Sequence, residues 1–168
     1  MNTYFRRVAQ QTPTRFWINN VTREQARLAL DAGAVGCTQN PAYTWKMLQG
    51  PDKAHAIEVL DEILRQEPED SVALIRLQRA LVEEIARAFL PLYRESGGKR
   101  GYVSIQGDPF HEDCESIVRW GRFNAENLPN IMLKVPATEE GLKAIDILLR
   151  EGHAINATEV MALRQAAD

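Results

Sequence analysis

Residues Pro129–Thr158, PNIMLKVPATEEGLKAIDILLREGHAINAT, decide how the rest of the chain is read. Ile131, Met132, Leu133 and Val135 form an apolar run broken only by Lys134. Asn/Pro on one side and Pro136-Ala137-Thr138 on the other bound it, so the run predicts a strand buried on both faces. Thr138 then stands where a helix N-cap belongs, and Glu139 and Glu140 fill the first turn. Leu142, Ile145, Leu148 and Leu149 mark one apolar face of that helix. Gly152 is its C-terminal stop, and His153–Thr158 reads as a second short strand. The unit is βαβ, with an amine in the middle of its first strand.

Two readings of Lys134 follow from the pattern. Burying an ionised amine is so unfavourable that the group lowers its pKa and sheds the proton instead. The neutral amine is then a nucleophile of the kind that forms Schiff bases with carbonyl substrates. In the other reading Lys134 lies near the strand end and reaches water, its stem merely covering the core. Residue periodicity leaves both open.

Working outward, the chain alternates. Phe16–Asn19 reads as a short strand, and Thr22 as the N-cap of a helix with Ala26, Ala29 and Leu30 inward, ended by Gly33. Ala34–Thr38 is the second strand, broken by the turn Asn40-Pro41. Tyr43–Leu48 predicts a short helix, and Lys53–Arg65 a clearer one with Ile57, Leu60 and Leu64 on one face. The longest helix runs from about Ser71 to Phe89. Its stripe is Leu74, Leu77, Leu81, Ile85 and Ala88, broadened by Val72, Ile75, Val82 and Phe89, and Pro91 followed by Gly97-Gly98 closes it. Tyr102–Gln106 is the third strand and Asp113–Phe123 the next helix. Strands separated by helices imply a parallel sheet of five strands.

In such a sheet the chemistry gathers at the C-terminal strand ends. Asn19 ends the first strand, Thr38 and Asn40 close the second, and Gln106 with Asp108 shares one face of the third. Asn156 and Thr158 share one face of the fifth. Any one of these could be a turn or cap residue, and for Asn40 before Pro41 that reading is strong. Their joint placement around one lysine favours a site.

The residues also carry a resemblance. IMLKVPATEEGLKAI followed by GHAINAT resembles the transaldolase family, whose fourth strand carries the Schiff-base lysine, and the related fructose-6-phosphate aldolases. Gly36–Pro41, GCTQNP, is similar to that family's turn after the second strand, and Val103–Pro109, VSIQGDP, to its third strand. Four segments in order across Phe16–Thr158 imply an α/β fold of the TIM-type (β/α) barrel family. About five of the eight βα units fall in this chain, as one domain over residues 1–168 that stops short at its C-terminal end.

The resemblance also implies roles. Lys134 matches the lysine that holds the donor as an imine, and Thr158 the threonine that helps hold the catalytic water. Asn40 and Asn156 match asparagines that bind the donor's hydroxyls; Thr38 and Asp108 are expected to bind substrate too, on their place at the strand ends rather than on the resemblance. Two positions depart. Asn19 stands where the family has an aspartate acting as general base for carbon–carbon cleavage, and Gln106 where transaldolases have a water-activating glutamate. The fructose-6-phosphate aldolases also carry glutamine there. An amide cannot accept a proton at neutral pH, and losing a positioned base typically costs about 10²–10⁴-fold. Amides beside the lysine do favour its neutral form.

The expected activity is therefore transfer or cleavage of a ketol unit of a sugar phosphate, as in pentose phosphate carbohydrate metabolism, with no metal and no cofactor. Two alternatives stand beside it: a catalytically impaired relative that still binds a sugar or carbonyl ligand, and a half-barrel interaction module. A full (β/α)₈ barrel takes roughly 250 residues, and its phosphate sites usually follow strands seven and eight. Five strands leave two sheet edges, so homo-oligomers through those edges are expected. Glu159–Asp168 reads as the start of a helix without a capping signal.

Bulk properties are consistent with this. At 45% apolar and 26% charged the 168 residues suit one globular domain, and a net charge of −3 argues against nucleic acid. The N-terminal MNTYFRRVAQQTPTR lacks an apolar core and is not read as a secretory signal. No stretch approaches the roughly 18 apolar residues of a membrane span. The expected location is cytoplasmic, with Cys37 and Cys114 as free thiols.

Overall fold

The computed structural model describes residues 3–167. Along the chain run α1 (Tyr4–Gln11), β1 (Trp17–Asn19), α2 (Arg23–Ala32), β2 (Gly36–Thr38), α3 (Tyr43–Gln49) and α4 (Lys53–Leu64). They are followed by α5 (Asp70–Glu95), β3 (Tyr102–Gln106), α6 (Cys114–Ala125), β4 (Ile131–Pro136), α7 (Glu139–Arg150), β5 (Ile155–Thr158) and α8 (Leu163–Ala167). All five strands pair in parallel in the order β1-β2-β3-β4-β5, so β1 and β5 are the sheet's edges. This is the strand order of a partial (β/α) barrel.

The register sorts the side chains into two faces. Ile18, Cys37, Val103, Ile105, Leu133 and Val135 point one way and join the apolar core under the helices. Asn19, Thr38, Ser104, Gln106, Met132, Lys134, Asn156 and Thr158 occupy the alternate positions and point the other way. The β4 strand is therefore not buried on both faces as its composition suggests. Ile131, Leu133 and Val135 are buried, whereas Met132 and Lys134 are only half-buried. The second face belongs to the interior of an open barrel rather than to a helix layer.

Local sequence explains most boundaries. Thr22 Oγ1 accepts from Gln25 N while Gln25 Oε1 accepts from Thr22 N, a reciprocal cap on α2. Gly33 at φ 107° ends that helix in the left-handed region. Thr138 caps α7 by accepting from Gly141 N at 3.0 Å.

Several expectations need correcting. The α5 helix continues through Pro91 to Glu95. A proline in a helix interior removes one bond and crowds a carbonyl, at a cost of about 3 kcal/mol. Leu90 and Leu92, on either side, pack against the core and offset it. Leu74 is 40% exposed, and α5 turns Ala73 and Gln78 inward beside the expected Ile75. Likewise α4 packs through Ala56, Val59, Leu60 and Ile63, leaving Ile57 and Leu64 exposed. On α7, Leu149 is exposed and Ala144 and Leu148 are buried. The α1 helix was not foreseen; Phe5 stacks on Phe16 at 4.0 Å, and Arg6 and Thr3 bond the last carbonyls of α2. The α8 helix does have a cap, from inside itself: Gln165 Oε1 accepts from Met161 N and Ala162 N. Asp168 lies outside the described residues.

Candidate active site

The site is built where β1, β2, β3, β4 and β5 end. Lys134 sits opposite Gln106 on one side and Asn156 on the other. Its Nζ donates to Asn40 Oδ1 at 2.5 Å. Asn40 Nδ2 in turn donates to Asn19 Oδ1 at 3.4 Å. The amine, one amide and a second amide thus form a directed chain across the interior face. Neither acceptor carries charge.

Asn40 is held in place from its other side. Its backbone N–H donates to Asn20 Oδ1 at 2.9 Å, and the Asn20 carbonyl accepts from Lys46 Nζ. Asn20 has φ 47°, a left-handed conformation that asparagine tolerates better than most residues. Glu159, just after β5, has φ 62°. Both edge strands therefore leave the sheet through a left-handed residue.

Burial pushes the Lys134 ammonium below the ordinary lysine range, and the Glu159 carboxylate partly opposes the shift. The protein thus favours the free amine more than water does. Cys37, on the helix-facing side of β2, is pushed up to about 12 by burial and is chemically quiet. Cys37 and Cys114 are free.

The remaining foreseen positions differ in what they do. Thr38 Oγ1 accepts from Ser104 Oγ at 2.7 Å, a pair that bridges β2 and β3 below the lysine. Gln106 is buried, with Nε2 donating to Glu112 Oε1 at 3.2 Å. Asp108 lies beyond the end of β3, and its carboxylate is engaged by Phe110 N at 2.9 Å and His111 Nδ1 at 2.6 Å. Asn156 and Thr158 face inward and are half-buried; the Thr158 carbonyl accepts from Ala137 N at 2.8 Å. A groove of about 550 Å³ adjoins the site, with Pro41, Trp45, Leu74, Phe110 and Asp108 in its walls.

Asn20, Lys46, Ser104 and Glu112 were not foreseen. Ser104 could have been found from its place two residues before Gln106 on the same strand face. Asn20, Lys46 and Glu112 act from loops or helices across the fold, where strand alternation carries no information. Among the described residues no group of three or more His, Cys, Asp or Glu is disposed to hold a metal ion, and no helix is long and apolar enough to cross a membrane.

The family model described as Transaldolase/Fructose-6-phosphate aldolase matches residues 16–168. A transaldolase of Neisseria meningitidis (serogroup A, strain Z2491) is 30% identical over 162 residues, covering 90% of this chain and 45% of the relative. A transaldolase of Thermobifida fusca is 31% identical over 159 residues, covering 89% and 42%. One of Parafrankia is 29% identical over 156 residues, covering 88% and 42%. The chain spans somewhat under half the length of these curated relatives.

Proposed function

The chain belongs to the transaldolase/fructose-6-phosphate aldolase family, and on that premise we propose that it binds a ketose or sugar phosphate as a Schiff base on Lys134. The observation that carries this reading is the state of Lys134: an inward-facing amine with a lowered pKa, held by a neutral acceptor. The lone pair of the neutral amine attacks the ketone carbon, a C–N bond forms as the C=O π bond opens, and the oxygen takes up a proton as the nitrogen gives one up. The C–O bond then breaks, the oxygen leaves as water with a second proton in exchange for the one remaining on nitrogen, and the imine results. Imine chemistry of this kind needs neither metal nor cofactor.

In this reading Asn40 directs the amine and Asn156 binds a donor hydroxyl, supported by the Lys134–Asn40 hydrogen bond and by the register that sets Asn156 beside Lys134. Thr158 and Thr38 flank the same interior face. Cleavage of the adjacent carbon–carbon bond further requires a base to remove a hydroxyl proton. Asn19 is the residue in reach, through Asn40, and an amide does not serve. That observation favours a second reading, in which imine formation persists and cleavage is slow.

Two assays on the full chain separate the readings. Incubation with dihydroxyacetone or fructose 6-phosphate and borohydride traps an imine as a stable amine on Lys134, and Lys134→Met abolishes the adduct. Release of the aldehyde fragment of fructose 6-phosphate measures cleavage. Adduct together with cleavage supports the enzyme, and adduct alone supports the impaired relative. No adduct refutes both and leaves an interaction module.

A further inference from the structure

The transaldolase-type glutamate is absent from β3, yet a carboxylate is present beside that position. Glu112 lies in the loop between β3 and α6, and its Oε1 accepts from Gln106 Nε2 at 3.2 Å. An ionised carboxylate only accepts hydrogen bonds, so it dictates which end of the Gln106 amide faces it. Nε2 turns to Glu112, and Oε1 turns away from it. The Gln106 main chain is fixed as well, because its carbonyl accepts from Gln78 Nε2 at 3.1 Å.

The two residues lie close to the chemistry. Gln106 is the direct cross-strand neighbour of Lys134. Gln106, Glu112 and Lys134 all line one small cavity of about 20 Å³, and so does Asn124. Asn124 Oδ1 is buried without a partner among the described residues. A cavity of roughly 10–15 Å³ or more with two to four polar partners is enough for one water.

We propose that Glu112 is a positioning residue that orients the Gln106 amide, so that Gln106 Oε1 is the neutral acceptor for the water of imine formation and hydrolysis. The carboxylate and the amide stand in exchanged order relative to a glutamate on the strand. The exchange has an electrostatic consequence: the side chain on β3 opposite Lys134 is a neutral amide, while the anion is held one side chain further away. The other acidic groups facing this region are Asp108, engaged by His111, and Glu159, which acts on Lys134 directly. The inference rests on the Schiff-base reading of Lys134.

The test compares the parent chain with Glu112→Ala, Gln106→Glu and the double exchange Gln106→Glu/Glu112→Gln. The readout is the rate and pH profile of borohydride-trapped imine on Lys134 with dihydroxyacetone, with each variant's fold checked by circular dichroism. Glu112→Ala releases the amide and slows trapping by roughly 10–100-fold, the scale of a misplaced group. Gln106→Glu sets two carboxylates within hydrogen-bonding distance, so one titrates high and an added ionisation appears in the profile. The double exchange removes that ionisation and recovers the rate to within about threefold of the parent, because one carboxylate and one amide again face each other. Unchanged trapping in Glu112→Ala, or a double exchange no better than Gln106→Glu alone, overturns the role of Glu112 while Lys134 still traps. A parent chain that gives no adduct overturns the Schiff-base reading, and the water-positioning role falls with it.

Discussion

Lys134 is where residue-level energetics and function meet. Its depressed pKa means that the native state binds this proton less readily than the unfolded chain does. Stability from this group therefore rises with pH across the window between the depressed value and the ordinary lysine value of 10.5. Lys134→Met should be more stable than the parent at pH 7 in urea unfolding, and its advantage should shrink as pH climbs through that window. An advantage independent of pH would mean that the amine is not desolvated. Asn19→Asp should raise cleavage of fructose 6-phosphate by about 10²-fold if a base is what the pocket lacks. The new anion would also favour the ammonium, so imine formation should move to higher pH in the same variant. Slower cleavage in Asn19→Asp would place the base elsewhere. Gln39 supplies a different test: it is fully buried, and neither amide atom has a partner among the described residues. Gln39→Met should gain about 1–2 kcal/mol, since each unpaired buried polar group costs that much, and a loss would show that the amide is satisfied. Lys134, Asn40 and Asn156 were legible because strand alternation and the motif around them place them on one face. Glu112 and Asn20 were not, because their contacts cross from loops that no periodicity describes.

At the scale of elements, the join between β4 and α7 positions the lysine. Gly141 packs so closely that a Cβ there would lie 1.8 Å from the Pro136 carbonyl oxygen. Gly141→Ala must push α7 away from the end of β4, two residues from Lys134. Overpacking costs typically about 1–3 kcal/mol, so the variant should lose stability on that scale and also trap imine more slowly. Normal trapping in a destabilised Gly141→Ala would separate the joint from the site. A milder variant, Thr138→Ala, should cost about 1 kcal/mol through loss of the cap alone. The strand order and the βα alternation could be read from the sequence because turn signals separate every apolar run. The ends of α5 and the inward face of α4 could not. Pro91 is a strong local stop signal that the packing of Leu90 and Leu92 overrides, and on α4 Leu60 packs as expected while Ile57 and Leu64, as apolar as Val59 and Ile63, stay exposed.

For the whole molecule, the sheet ends at β1 and β5, and both edges carry backbone groups with no strand beside them. Near those edges lie exposed apolar side chains: Trp17 is 38% exposed on β1, and Met161 and Leu163 are 85% and 92% exposed after β5. Parallel edges of this kind pair readily with another chain. Sedimentation of residues 1–168 should show association that grows with concentration, and a compact monomer at high concentration would contradict it. The proposed chemistry of this chain turns on an imine at Lys134. The direct measurement is peptide mapping by mass spectrometry after borohydride trapping with dihydroxyacetone across a pH series. The expected result is a single adduct on Lys134, with a trapping rate that rises with pH and levels off below the ordinary lysine value. Label confined to Lys46, Lys53, Lys99 or Lys143, or a rate still climbing beyond 10.5, the ordinary value for a lysine, would contradict it.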